Sequence, residues 1–270
     1  SVASAGDVNG DGLDDLIIGA VSADPNGNVS GATYVVFGST SGFAASLELS
    51  SLDGRNGFKL NGVAADDFSG FSVASAGDVN GDGVDDLIIG AGSADPNGSA
   101  SGASYVVFGR SSGFAASMEL SSLNGTNGFR IDGMAAGDVS GRSVSSAGDV
   151  NGDGFDDVII GARYADLNGG VSGSSFVVFG KASGFGPSIS LASLNGNDGF
   201  RLDGAAVDDL SGHSVAAAGD INGDGLDDLV IGARNADPNG INSGSSYVIF
   251  GQPAEAGEHA QGDADVDVLN

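Results

Sequence analysis

The hydrophobic and polar positions of the chain follow a pattern that returns four times. In its second copy, a run of small residues, Ser72–Gly77, leads into an acidic stretch, two continuously apolar runs, Leu87–Gly90 and Ser104–Gly109, and the shorter Gly128–Ile131. Short apolar runs that are rich in β-branched residues and end in glycine are typical of strands covered on both faces. The pattern predicts four strands per repeat, which we name A, B, C and D in chain order.

The acidic stretch between strands A and B sets the period of the repeat. It reads Asp-Val/Ile-Asn-Gly-Asp-Gly-x-Asp-Asp and starts at Asp7, Asp78, Asp149 and Asp220, so the period is 71 residues each time. A four-stranded antiparallel sheet that is buried on both faces and repeated at a fixed period predicts the blade of a β-propeller. The predicted fold is an all-β propeller of four repeats. A parallel β-helix is the rival fold, but its rungs are much shorter.

We expect the propeller to cover residues 1–251, with repeats starting near residues 1, 72, 143 and 214. Residues 252–270 form an acidic C-terminal tail that does not repeat. The chain has no initiating methionine and begins inside a repeat, so we expect a processed or excised piece of a longer protein.

The acidic stretch has the composition of a loop that wraps Ca²⁺. Side-chain oxygens stand at positions 1, 3 and 5, a glycine at position 6 permits a sharp turn, position 7 can offer its backbone carbonyl, and position 9 can close the shell. We expect one Ca²⁺ per loop, about four per chain. The predicted ligands are Asp7, Asn9, Asp11, Leu13 and Asp15; Asp78, Asn80, Asp82, Val84 and Asp86; Asp149, Asn151, Asp153, Phe155 and Asp157; and Asp220, Asn222, Asp224, Leu226 and Asp228.

Two other interpretations of these loops are weaker. An EF-hand needs an acidic ligand at position 12 and a helix after it, whereas position 12 is isoleucine in every copy and a strand-like run surrounds it. Acidic turns without an ion are the second alternative, because Asn-Gly and Asp-Gly form turns readily. Since the chain has no cysteine and only two histidines, a zinc or copper site is not expected.

The charge balance excludes some partners. The chain carries 36 acidic and 9 basic residues, a formal charge of −27, which disfavours nucleic acid and anionic membranes. No apolar run is long enough to span a bilayer, so membrane insertion is not expected. With 40% hydrophobic and 17% charged residues, the chain does not have the composition of a disordered acidic protein.

The repeat resembles the FG-GAP repeat of the integrin alpha-subunit β-propeller, which also occurs in bacterial secreted proteins. The calcium loops and the preceding Ser-Val-x-Ser/Ala-Ala-Gly-Asp carry the resemblance over residues 1–251. It implies calcium in the A–B loops through positions 1, 3, 5, 7 and 9, and a ligand on the opposite face, where the B–C and D–A loops lie. Integrin alpha propellers have seven blades, and this chain departs from the family in two motifs. The Phe of the first Phe-Gly is replaced by Ser69, Ser140 and Ser211, and the Pro of Gly-Ala-Pro by Val21, Gly92, Arg163 and Arg234.

The copies differ from one another on that opposite face. The candidate ligand-binding residues there are Arg142, Arg163, Tyr164, His213, Arg234 and Asn235. Arginine suits carboxylate recognition and tyrosine suits stacking on sugar or peptide, whereas neutral drift with charge balance against nearby aspartates is the alternative. The repeated aspartates of the B–C and D–A loops, such as Asp24 and Asp66, could hold further cations or serve as turn residues.

The closure of the propeller is a separate question, because strand D occurs only three times. Val266–Leu269 alternates like a strand and could replace the missing fourth D strand. We expect a single closed ring of four blades; a head-to-tail dimer of eight blades and a piece of a longer propeller are the alternatives. Each stretch between strands C and D, such as Gly42–Leu52, is expected to cover a blade edge on the outer rim.

The expected function is that of a calcium-binding extracellular propeller, secreted or on a bacterial cell surface, that binds a protein or glycan ligand in adhesion. A purely structural repeat segment of a large adhesin or surface protein is the alternative. A carbohydrate-active enzyme is the third candidate. No catalytic residue is predicted, because the chain lacks a cysteine nucleophile and only His213 and His259 are available as imidazole bases.

Overall fold

The structure is a computed structural model, and it describes residues 1–168, 170–253 and 266–269. Single-turn 3₁₀ helices lie at Leu49–Ser51, Leu120–Ser122 and Leu191–Ser193. The strands are, in chain order, β1 (Val2–Gly6), β2 (Asp15–Ala20), β3 (Ala32–Val36), β4 (Gly57–Asn61), β5 (Ser72–Gly77), β6 (Asp86–Ala91), β7 (Ala103–Val107), β8 (Ser117–Glu119), β9 (Gly128–Asp132), β10 (Ser143–Gly148), β11 (Asp157–Ala162), β12 (Ser174–Val178), β13 (Ser188–Ser190), β14 (Gly199–Asp203), β15 (Ser214–Gly219), β16 (Asp228–Ala233), β17 (Ser245–Ile249) and β18 (Val266–Leu269).

The strands form four sheets, one for each repeat, and the predicted all-β propeller blades are confirmed. The A–D strands are β1-β2-β3-β4, β5-β6-β7-β9, β10-β11-β12-β14 and β15-β16-β17-β18, and neighbours within each blade pair antiparallel. Strands B and C are buried on both faces in the second and third blades, as their continuous apolar runs predict. The acidic nine-residue loops are the A–B connections.

A fifth strand joins the outer edge of the first two sheets. β8 pairs parallel with β4, and β13 pairs parallel with β9, so the C–D stretch of one blade crosses to strand D of the preceding blade. Phe114 stacks on Phe58 with ring centroids 4.1 Å apart, and Phe185 stacks on Phe129 at 4.2 Å. The C–D stretch therefore covers a blade edge as expected, but the edge belongs to the preceding blade.

Successive blades are joined by repeated contacts along their inner strands. A buried apolar cluster lies between the first and second blades, another between the second and third, and another between the third and fourth. The A strands β1, β5, β10 and β15 contact one another in this order. The small side chains of strand A permit this close approach.

In the described residues, the fourth blade does not make these contacts with the first. Val2 and Leu16 of the first blade are 65% and 41% exposed, whereas Leu87, the equivalent of Leu16 in the second blade, is 1% exposed. Ile221 of the fourth blade is 55% exposed, although its equivalent Val79 is fully buried. The four blades therefore form an open arc, and the expectation of a closed four-bladed ring is wrong for the part of the chain that the structure describes.

The same difference appears at a glycine of strand B. A Cβ on Gly19, Gly90 or Gly161 would collide with the carbonyl oxygen of the D–A turn that leads into the next blade. Among the described residues no such turn packs on Gly232 of the fourth blade, and a groove of about 380 Å³ lies open there. The tail does supply a strand: β18 pairs antiparallel with β17 as the fourth strand of the last sheet. It completes that blade without closing a ring.

Candidate functional site

The acidic side chains of each A–B loop are turned into the loop by its own backbone. In the first loop, Asp7 Oδ1 accepts a hydrogen bond from the backbone N–H of Asp11 at 3.0 Å, and Asp7 Oδ2 accepts one from Gly12 at 2.7 Å. Asn9 Oδ1 accepts from the N–H of Asp11 at 2.9 Å, and Asp11 Oδ1 accepts from Leu13 at 2.9 Å. The same four bonds occur in the second, third and fourth loops. Positions 1, 3 and 5 are therefore held on one turn.

The donor chemistry of these loops fits a hard cation. Each loop presents carboxylate, amide and carbonyl oxygens and contains no sulfur or imidazole ligand, which is the set that calcium prefers. Over residues 1–168, 170–253 and 266–269, however, no three acidic or histidine side chains are gathered closely enough to form a metal site as they stand. The assignment of the loop residues as calcium ligands therefore remains a prediction.

The aspartate at position 9 has a structural role that the sequence did not indicate. Asp86 Oδ2 accepts a hydrogen bond from the N–H of Val79 at 3.1 Å, and Oδ1 accepts one from Gly109 at 2.9 Å. The equivalent aspartates Asp15, Asp157 and Asp228 make the same two bonds. This carboxylate ties the loop to the end of strand C.

Burial of the position-9 carboxylate has an electrostatic consequence. Burial raises the pKa of Asp86 to about 8 and that of Asp15 to about 6, although the hydrogen bonds from the backbone oppose the shift. Burial likewise raises the pKa of Asp157 to about 8. A nearby cation favours the charged form of a carboxyl group. A cation bound in the loop would therefore lower these raised pKa values and favour the ionised carboxylate that coordination needs.

The aspartate at position 8 joins neighbouring blades. Asp85 Oδ2 accepts a hydrogen bond from the N–H of Asp7 at 2.8 Å, and the N–H of Asp85 donates to the carbonyl of Asp7 at 3.2 Å. Asp156 bonds Asp78 and Asp227 bonds Asp149 in the same way. The sequence indicates that position 8 matters, because an aspartate stands there in every copy. It does not indicate that this aspartate contacts the neighbouring blade.

At the opposite end of the strands, the structure brings together most of the predicted ligand-binding residues. Arg142 and Arg163 flank strands A and B of the third blade, and His213 and Arg234 flank those of the fourth. We call these four residues the basic row. Arg163 Nη1 lies 3.3 Å from His213 Nδ1. Tyr164, at 37% exposure, lies under the Arg163 guanidinium with 4.6 Å between Cζ and the ring centroid.

Asn235 is held beside this row by its backbone, which donates to the carbonyl of Asp209 at 3.0 Å. The aspartates of the B–C loops act as turn residues: Asp24, Asp95 and Asp237 each accept a hydrogen bond from the backbone five residues later. In the D–A loop, Asp67 accepts from the backbone of Ala64. The turn interpretation accounts for these contacts.

In the part of the chain that the structure describes, arginines surround His213. Among the described residues its hydrogen-bond partner is Arg163, and burial together with Arg163, Arg234 and Arg142 lowers the pKa of His213. His259 lies outside the described residues. Across the described residues, no helix has the length and apolar character needed to cross a membrane.

Comparisons with known proteins agree with the repeat pattern. The FG-GAP repeat family model matches residues 1–36, 69–107, 140–178 and 211–249. Integrin alpha pat-2 of Caenorhabditis elegans is 28% identical over 257 residues, which are 93% of this chain and 18% of that protein. Integrin alpha-5 of Xenopus laevis is 27% identical over 241 residues, 87% of this chain and 20% of that protein.

Integrin alpha-4 of Xenopus laevis is 31% identical over 164 residues, 60% of this chain and 14% of that protein. The chain thus spans a fifth or less of the length of these relatives. All three are animal proteins and lend no support to the bacterial source expected from the sequence.

Proposed function

Because this chain belongs to the FG-GAP repeat family, we propose that it is a calcium-stabilised, ligand-binding segment of an extracellular adhesion protein. In this proposal residues 1–251 form the propeller, and Val266–Leu269 of the tail supplies the fourth strand of its last blade. The similarity to integrin alpha chains supports an adhesion role and supports a non-enzymatic protein.

In this proposal, each A–B loop binds one Ca²⁺. In the first loop the ligands are the side chains of Asp7, Asn9, Asp11 and Asp15 and the carbonyl of Leu13, and their equivalents serve in the other three loops. A bound Ca²⁺ supplies positive charge to a crowded set of carboxylates. The loop backbone already orients positions 1, 3 and 5, so the protein spends little conformational entropy on binding.

The separation of charge between the two ends of the blades supports a ligand on the face opposite the calcium loops. Three of the nine Lys and Arg residues of this acidic chain lie in the basic row, at the end of the strands remote from the acidic loops. Arginine and tyrosine are favoured in binding sites because they offer several contacts from one side chain. We therefore assign ligand binding to the basic row with Tyr164 and Asn235.

A solid-phase binding assay tests this proposal. The chain is applied to a panel of purified extracellular proteins and glycans in millimolar Ca²⁺ and in excess EDTA. We expect saturable binding to at least one protein in Ca²⁺, and its loss when Arg142, Arg163 and Arg234 are all changed to Gln. Absence of any saturable binding would favour the alternative of a purely structural repeat segment.

A further inference from the structure

The basic row gathers three arginines and one histidine at the boundary between the third and fourth blades. Arg163 reaches across the boundary between the third and fourth blades to His213, with 3.3 Å between Nη1 and Nδ1. The positive charges of Arg163, Arg234 and Arg142 all act on His213, after burial, to lower the pKa of the imidazole. Burial and then the charge of Arg163 lower the pKa of Arg142. Positive charge is therefore concentrated at this end of the third and fourth blades.

No carboxylate within the described residues neutralises the row. The ion pairs found there join Arg130 to Asp132, Lys181 to Asp198 and Arg201 to Asp203. Arg163 Nε is buried and has no hydrogen-bond acceptor. A buried donor without an acceptor destabilises the folded state. In a chain of formal charge −27, this absence of a local partner contradicts simple charge balance as the reason for the row.

Aromatic rings fix the guanidinium groups by their faces. Arg142 Cζ lies 3.3 Å from the ring centroid of Phe71, and Arg163 Cζ lies 4.6 Å from that of Tyr164. A guanidinium that stacks through its face keeps its N–H donors in the plane, where they can form a bidentate pair with a carboxylate. The stacking therefore orders the two arginines. At Arg163 the Nε is buried and Nη1 meets His213, so the Nη2 donors are the ones left for a ligand.

The row is also a single local site, because the equivalent positions in the other blades lack it. Where Arg163 and Arg234 stand in the last two blades, Val21 and Gly92 stand in the first two. A feature needed for the blade itself would be expected in every copy.

We propose that the basic row is a receptor for a carboxylate group on an acidic segment of a protein ligand, an inference that rests on the ligand-binding function proposed above. Arg142 and Arg163 donate in-plane N–H groups to the carboxylate, and Arg234 adds charge from the neighbouring blade. The planar fork of a guanidinium matches the two oxygens of a carboxylate. The strongly negative chain repels a segment with few carboxylates less than it repels polyphosphates and sulfated polymers.

The first test uses a fluorescein-labelled triglutamate peptide with an amidated C-terminus, and measures fluorescence anisotropy at low ionic strength in Ca²⁺. The control is the equally labelled and amidated triglutamine peptide, whose residues carry no carboxylate. We expect saturable binding of triglutamate only. R163Q and R234Q should each weaken it at least about tenfold, a loss of roughly 1.4 kcal/mol. R110Q is the matched control: Arg110 also stacks on a ring, Phe114, but stands alone at the other end of the blades, and its loss should change binding less than about twofold.

A second readout is the imidazole NMR titration of the H259Q variant, in which His213 is the remaining histidine. A bound carboxylate should raise the pKa of His213, and triglutamine should leave it unchanged. Far-UV circular dichroism checks that both variants fold. Because Arg234 is exposed, R234Q is expected to fold even if R163Q does not.

Four outcomes would overturn the inference. These are an absence of triglutamate binding, binding that survives both R163Q and R234Q, a His213 pKa that does not rise, and equal or tighter binding of inorganic phosphate or a sulfated oligosaccharide. If the panel assay finds a protein ligand while triglutamate fails, the carboxylate assignment falls and the proposed function stands. If triglutamate binds while the panel fails, the adhesion function falls and the receptor chemistry stands.

Discussion

The aspartate at position 8 of the loop offers a direct test of how the blades hold together. Asp156 accepts a hydrogen bond from the N–H of Asp78 in the preceding blade at 2.8 Å. Asp14 occupies the same loop position in the first blade, is exposed, and has no preceding blade to bond among the described residues. D156A and D14A therefore remove the same side chain with and without its partner.

The expected magnitudes differ because only D156A leaves a partly buried donor, the N–H of Asp78, without its acceptor. A hydrogen bond to a charged group contributes about 1.5–3 kcal/mol. Burial raises the pKa of Asp156, so part of this gain is offset by the cost of holding the buried charge. We expect D156A to lower the free energy of unfolding by about 1–2 kcal/mol. D14A should change it by less than about 0.5 kcal/mol.

Urea unfolding followed by far-UV circular dichroism, in saturating Ca²⁺, measures both variants. The calcium keeps any metal contribution equal between them. D156N, which retains an oxygen acceptor, should recover part of the lost stability. Equal losses for D156A and D14A, or a neutral D156A, would refute the assignment of position 8 to the blade interface.

Three further predictions concern the acidic A–B loops, the outer rim and the tail. Excess EDTA should lower the thermal midpoint measured by circular dichroism, because Ca²⁺ at a hundred times its dissociation constant stabilises the folded state by about 2.7 kcal/mol per site. An unchanged midpoint would contradict a structural role of calcium. F114A removes the stack on Phe58 and should lower the free energy of unfolding in urea by about 2 kcal/mol, whereas F43A should be nearly neutral because Phe43, the equivalent residue of the first repeat, is 63% exposed. Similar losses for the two variants would contradict the crossover of the C–D stretch. Truncation before Val266 removes the strand paired with β17, so light scattering should show that the chains associate through the exposed edge of β17. A truncated chain that stays monomeric and equally stable would contradict this role of the tail.

The sequence predicted the elements of each blade well, because the apolar runs and the glycines that end them are local features. The predicted strand A, Ser72–Gly77, matches β5, and predicted strand D, Gly128–Ile131, differs from β9 by one residue at its end. The crossover strands β8 and β13 were not predicted. Each has only three residues, and its partner lies in a different repeat, so no local periodicity marks it.

The interfaces between repeats could not be predicted for a related reason. Every copy of a repeat has the same residues at positions 8 and 9 of the loop, so the sequence indicates that they matter but not what they contact. Asp156 bonds another blade, whereas Asp157 bonds the end of strand C in its own blade. Closure depends on the rotation from blade to blade, which no residue pattern encodes, and the expectation of a four-bladed ring failed at that step.

The open arc makes the chain behave as a one-dimensional array. In such an array, the stability of each unit is its own folding free energy plus one coupling term for each neighbour. The second and third blades have two neighbours, while the first and fourth have one each. Amide hydrogens of β6 and β11 should therefore exchange with solvent more slowly than those of β2 and β16, although the four strands have nearly the same sequence. Opening of the molecule should begin at its two end blades and proceed inward.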